Sequence, residues 1–174
     1  ERYQTASTIM QEKFSRETEM TAIDAINYFS RTYRHEVLQV NYTPSNAPEY
    51  AVDQDFIPRR ITSAVIVFEG VKAGEAPIHT IMWSALGYPA SAVAIPLLMN
   101  AKYLPSYMSA RGKKGDALHS EMCDASLMIK DAWIFPMKIS NGKRYVSLQN
   151  VLIGTDGKPA ILSCVNKVEL EIQK

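Results

Sequence analysis

The sequence predicts an α+β fold, an antiparallel sheet flanked by helices. Three observations carry that prediction. Apolar residues recur at spacings of three and four at both ends of the chain, over residues 1–34 and 117–174. Between them, residues 61–99 hold three apolar runs joined by short turns. Links that short suit antiparallel strands, because parallel strands need long crossovers. In the first run, apolar side chains fill both alternation sets, the pattern of a strand covered on both faces.

Element by element, Tyr3, Ala6, Met10 and Phe14 form the stripe of a first helix. Met20, Ile23, Ile26, Phe29 and Tyr33 form that of a second, after a polar break at residues 16–18. Thr18 or Thr21 is its cap, with Asp24 in the first turn. Residues 41–58 carry Asn41, Pro44, Ser45, Asn46, Pro48 and Pro58 without periodicity and read as a long loop. Strands are expected over residues 61–70, 78–86 and 91–99, with Gly87-Tyr88-Pro89 as a tight turn and Trp83 packed between layers. Residues 100–116 read as a second loop, ending in Arg111-Gly112-Lys113-Lys114-Gly115. Leu118, Met122, Ala125, Ile129 and Ala132 mark a helix over residues 117–134 that Pro136 stops. Ser140-Asn141-Gly142-Lys143 is a turn, residues 145–153 fit helix or strand, and Thr155-Asp156-Gly157 is a turn. Pro159 suits the first turn of a last helix with the stripe Ile161, Val165, Val168 and Ile172.

A length of 174 residues suits one ordinary domain. With 47% hydrophobic and 21% charged residues, wholesale disorder is excluded. A net charge of +1 leaves no footprint for nucleic acid, and no run approaches the length of a membrane span. A sheet covered on both faces and flanked by helices nevertheless needs at least three layers, which this length barely supplies. The chain opens at Glu1 rather than Met, and the last helix shows no cap signal before Lys174. The expectation is the C-terminal portion of a single larger domain, with helices in 1–34, a sheet in 61–99 and helices in 117–174. An N-terminal segment or partner chain of the same protein would complete it, and a homo-oligomer is compatible with the sequence. No signal-peptide pattern is present, and the compartment stays open, extracytoplasmic ones included.

Most chemical motifs are missing. The sequence has no G-x-G-x-x-G or Walker loop, no Cys-x-x-Cys, no His-Glu-x-x-His and no G-x-S-x-G elbow. His35, His79 and His119 are far apart, so neither a metal nor a cofactor is expected. His119 and Cys123 lie four apart on the expected helix, which reads as a surface histidine above a buried thiol. Cys123 and Cys164 both sit on apolar helical stretches and read as core thiols. The basic run at residues 111–114 reads as a solvated loop. The exception is Arg59-Arg60-Ile61-Thr62-Ser63, where two arginines open an otherwise apolar strand. A guanidinium there can hold a carboxylate, polarise a carbonyl or tune a nucleophile; the competing reading is a solvated strand end or a structural ion pair.

Residues 58–71 (PRRITSAVIVFEGV), then 80–89 (TIMWSALGYP) and Val93-Ala94-Ile95-Pro96, together resemble the second half of the linear-amide C–N hydrolases. Those are related to acyl-coenzyme A:isopenicillin N acyltransferase and carcinine hydrolase, and are similar to choloylglycine hydrolases, within the N-terminal-nucleophile (Ntn) hydrolases. Glu1-Arg2-Tyr3 and the stretch from Glu121-Met122-Cys123-Asp124 to Lys130-Asp131 resemble helices of the same group. The resemblance implies a four-layer αββα sandwich and an N-terminal cysteine that attacks a small-molecule amide or acyl carbonyl, with its own α-amine as base. Here residue 1 is Glu, so the nucleophile is not expected in this chain. What the resemblance carries over is the arginine before the strand, Arg60 first and Arg59 second, with Ser63 on the same strand mouth. The expected function is therefore the C-terminal part of an amide hydrolase or acyltransferase, inactive alone. The alternative is a non-catalytic ligand-binding or structural domain that retains the sheet. Residues 41–58 and 100–116 are the expected substrate loops.

Overall fold

The structure is a computed structural model of the protein and describes residues 1–16, 19–110, 119–137 and 145–174. Its architecture is α+β, built of small antiparallel sheets and helices. The first helix, α1 (Arg2–Phe14), buries Thr5 and Ile9, while Tyr3, Met10 and Phe14 of the expected stripe are exposed. Polar contacts dock it instead. Thr5 Oγ1 accepts the Glu36 N–H (3.2 Å), and Arg34 grips Glu12 with both Nη atoms (2.7 and 2.8 Å).

Thr21 caps α2 (Ala22–Ala25) through a reciprocal box. Its Oγ1 accepts the Asp24 N–H, and Asp24 Oδ2 accepts the Thr21 N–H, both at 3.1 Å. Thr18, the other cap candidate, lies outside the described residues. The helix continues as a π turn, Ile26–Ser30. Tyr33 is not part of it but opens β1 (Tyr33–His35), which pairs with β2 (Val40–Tyr42). The span read as a long loop also holds β3 (Tyr50–Val52). Its partner is β7 (Tyr145–Ser147), a pairing remote in sequence that local composition does not report.

The central runs pair as expected. β4 (Ala64–Glu69), β5 (Ile81–Leu86) and β6 (Ala94–Leu98) form an antiparallel meander in chain order. Val67 opposes Trp83, and Trp83 opposes Pro96. Pro96 is tolerated because, among the described residues, β6 is an edge strand. Ile78 and His79, expected to begin the second strand, lie in a 3-10 turn, Pro77–His79. One sheet face carries Val65, Val67, Ile81, Trp83, Ala85 and Ala94, and packs on Ala22, Ile23 and Ile26 and on Ile172 of α4 (Ile161–Ile172).

Cover on both faces fails at β4. Its other face presents Ile66 and Phe68, which are 52% and 60% exposed. Among the described residues its outer edge is open too, since β5 is its one partner.

A second core gathers Tyr33, Phe56, Tyr88, Ile134, Phe135, Val146 and Leu148. Its rings meet edge to face, Tyr33 with Phe56 at 5.6 Å and Tyr88 with Phe135 at 5.3 Å.

Ser120 caps α3 (Glu121–Ile129), its Oγ accepting the Cys123 N–H (3.3 Å). A π turn, Lys130–Ile134, follows. The wider turn shifts the helical register beyond Ile129, and Ile134 and Phe135 are buried; Ala125, Ile129 and Ala132 of the expected stripe are exposed. Ser126 is buried in their stead beneath Gly87. That glycine has φ +109°, and a Cβ on it would fall far inside contact with the Ser126 side chain. The Tyr88 N–H donates to Ser126 Oγ (3.0 Å).

Residues 145–153 prove to be both kinds of structure, β7 and then a π turn, Gln149–Ile153. β8 (Gly154–Thr155) and β9 (Lys158–Pro159) form a hairpin around Asp156 and Gly157. Both turn residues have positive φ, as tight two-residue hairpin turns require. Pro159 is thus a strand residue, and α4 starts at Ile161. Of its stripe Val165 is buried and Val168 is 47% exposed.

The other inward residue of α4 is charged. Glu169 forms a bidentate pair with Arg31 (2.6 and 2.7 Å) and accepts the Ala94 N–H (2.6 Å). Arg31 also donates to the Pro89 and Ala92 carbonyls (2.9 and 2.8 Å), so one knot joins the first helical layer, the turn before β6 and α4. Among the described residues no helix is long and apolar enough to cross a membrane. The basic run at residues 111–114, Leu118 and the turn at residues 140–143 lie outside the described residues.

Candidate functional site

Arg59, Arg60 and Ser63 come together on one turn before β4. The turn is fixed from within, as the Thr62 N–H donates to the Arg59 carbonyl (2.8 Å) and the Arg59 N–H to Thr62 Oγ1 (3.1 Å). Below it lies a buried hydroxyl pair. Tyr33 and Tyr88 share a hydrogen bond (2.9 Å), and the Tyr88 hydroxyl donates to the Pro58 carbonyl (3.4 Å). Burial pushes both hydroxyls above the ordinary tyrosine range, so they stay protonated donors. Asp53 holds the turn from the side, its Oδ2 accepting the Arg60 N–H (2.6 Å). The Ser63 carbonyl accepts the Gly87 N–H (2.8 Å), which joins this turn to the one after β5.

On this rigid base the Arg60 side chain is 36% exposed, and its Nη2 lies 3.9 Å from Asp131 Oδ1. Its Nε is enclosed and has no hydrogen-bond partner among the described residues. Arg59 is half-buried and Ser63 exposed. The arrangement offers a fixed cation with an unused donor, suited to a carboxylate, a carbonyl oxygen or an oxyanion.

Sequence spacing missed one cluster. The fold brings Glu1, the buried His35 and Asp55 together, with ligand-type atoms within 4.8 Å of one another. The Leu38 N–H donates to His35 Nδ1 (3.1 Å), which leaves the proton of the neutral ring on Nε2.

Other expectations change as well. His119 precedes α3 and pairs with Asp124 (3.2 Å) at the surface. Cys123 is half-buried, and burial pushes its thiol up. Cys164 is exposed, not a core thiol, because its face of α4 turns outward. A cavity of ≈ 700 Å³ takes Glu49 and Tyr50 from the first expected substrate loop and no described residue of the second. None of Arg59, Arg60 and Ser63 lines it.

No family model, curated protein or solved structure matches the chain.

Proposed function

We propose that this chain is the C-terminal part of an amide hydrolase or acyltransferase of the Ntn type, acting on non-peptide C–N bonds within a four-layer αββα sandwich. Arg60 is the observation that carries this reading. An enclosed N–H left unpaired costs about 1–3 kcal/mol. The turn holding that N–H is nonetheless pinned by Asp53 and the tyrosine pair. The exposed remainder of a guanidinium so held is suited to an acceptor from outside the described residues. The open face and edge of β4 support the same reading, because Ile66 and Phe68 are suited to a second sheet.

In this reading a cysteine thiol from an N-terminal segment attacks the amide carbonyl. Its α-amine takes the thiol proton and passes it to the departing amine, and water or an acyl acceptor then resolves the thioester. Arg60 stabilises the negative charge beside the thiol or holds a substrate carboxylate, with Arg59 flanking it. Ser63 lines the same mouth.

The test joins this chain to its upstream segment and assays simple N-acyl amides for amine release. Release that iodoacetamide abolishes, with none from the 174 residues alone, is the expected outcome. Release by this chain alone, or release that ignores the thiol reagent, would overturn the reading.

A further inference from the structure

We propose that the turns at one end of the central sheet, Ile78 together with residues 98–107, form a docking surface for an anionic lipid bilayer. The surface lies apart from the Arg60 turn. That turn precedes Ala64, which pairs with Leu86, whereas Leu98 ends β6 opposite Ile81 and Glu69, at the other end of the strands.

The loop after β6 is anchored at both ends. Leu97 and Met108 are buried, and the Met99 N–H donates to the Thr80 carbonyl (3.1 Å), which sets the loop beside the 3-10 turn that carries Ile78. Between the anchors the backbone closes on itself. The Ala101 N–H donates to the Leu98 carbonyl and the Met108 N–H to the Pro105 carbonyl, both at 2.9 Å. On this fixed frame Ile78, Leu98, Met99, Tyr103, Leu104 and Tyr107 are all exposed. Tyr103, at 88%, is the most exposed large apolar side chain among the described residues. The exposure belongs to anchored turns, not to a loose segment.

Charge names the occupant. The sequence has no Asp or Glu between Glu75 and Asp116. Lys102 stands exposed among the apolar residues, and the sequence runs on, outside the described residues, through Arg111, Lys113 and Lys114. The acids on neighbouring elements are already engaged. Glu69, in the sheet row of Leu98, accepts from the Trp83 indole (2.9 Å), and Glu75 accepts the Lys72 N–H (3.0 Å). In the first turn of α3, Asp124 faces His119 (3.2 Å) and Glu121 is not free either. Apolar side chains interleaved with cations and without a free carboxylate suit anionic lipid. Leucine and methionine enter the acyl boundary, tyrosine rings lie at headgroup level and lysine meets phosphate. A protein interface packs as densely as a core, whereas side chains raised singly on turns suit a fluid surface that closes around them.

The test is co-sedimentation of the 174-residue chain with vesicles of phosphatidylcholine alone and of phosphatidylcholine with about one-third phosphatidylglycerol, at about 0.1 M and about 0.5 M salt. The expected result is binding at least about fivefold tighter to the anionic vesicles, most of it lost at the higher salt. Tyr103→Ser with Leu104→Ser weakens binding about tenfold or more. Lys102→Gln weakens it about fivefold, on the anionic vesicles alone. Tyr3→Ser with Phe14→Ser, which strips a comparably exposed pair from α1, leaves binding unchanged. Far-ultraviolet circular dichroism confirms that the variants fold, and sedimentation velocity reports self-association.

No binding, equal binding to both vesicle types, or binding unchanged in either folded loop variant would each overturn the proposal. So would an equal loss in the α1 variant, or a dimer of the chain alone that the Tyr103 and Leu104 substitutions dissolve.

Discussion

Two arginines, each beside a turn that flanks the central sheet, are used in opposite ways. Arg31 is buried with every nitrogen engaged, and its side chain is 1% exposed, as is that of Glu169. Arg60 is one-third exposed, faces Asp131 at 3.9 Å and keeps an enclosed Nε without an acceptor. The first closes a structural knot from inside the chain. The second is held ready by its backbone while its side chain is left incomplete. Charge alone does not separate a structural arginine from a candidate site arginine; burial and the partners of its donors do.

The largest expected effect is on the knot. Arg31→Ala leaves Glu169 buried and unpaired, and is expected to cost about 3–5 kcal/mol in denaturant unfolding. Arg60→Ala is expected to stay within about 1 kcal/mol of the parent, as a partly exposed ion pair contributes little. Equal losses would erase the contrast.

Gly87→Ala is the next largest. The added methyl meets Ser126 at a backbone angle that L-residues avoid, and about 1–3 kcal/mol is expected from overpacking alone. Adding Ser126→Gly should recover part of that loss in the same unfolding measurement.

The tyrosine pair under the Arg60 turn gives a smaller, pH-dependent effect. Burial, the leading cause, raises the Tyr33 and Tyr88 hydroxyls above their ordinary value of 10.0. The folded state then keeps protons that the unfolded state gives up near that value. This contribution to stability is complete below about pH 10 and is lost as the pH rises beyond it. Tyr33→Phe should make the alkaline limb of the stability curve shallower while costing about 1 kcal/mol at neutral pH.

The sequence announced the parts of the fold that rest on local chemistry. The β4–β6 meander follows from three apolar runs with short links, and the turn at Asp156-Gly157 from residues that accept positive φ. The cap at Thr21 is one of the two candidates read from the sequence, Thr18 and Thr21, with Asp24 in the first turn. Where long-range pairing decides, the pattern misled. β3 finds its partner almost a hundred residues on, and the π turn after α3 rotates Ile134 inward. Glu169 is buried because Arg31 waits for it, which helical periodicity cannot report.

The candidate site was legible as a position, Arg59-Arg60 before an apolar strand. Its support was not, since Asp53, Tyr33 and Tyr88 converge on it from three separate segments.

In the proposed reading Arg60 serves chemistry rather than folding. Its most direct test is turnover of an N-acyl amide by Arg60→Ala in the protein that carries the upstream segment, with unfolding followed on the same sample. The expected result is a fall in kcat of about a hundredfold or more, the loss typical of removing a charge-stabilising donor, while the unfolding midpoint barely moves. Unchanged turnover, or a loss of turnover that tracks a loss of stability, would contradict it.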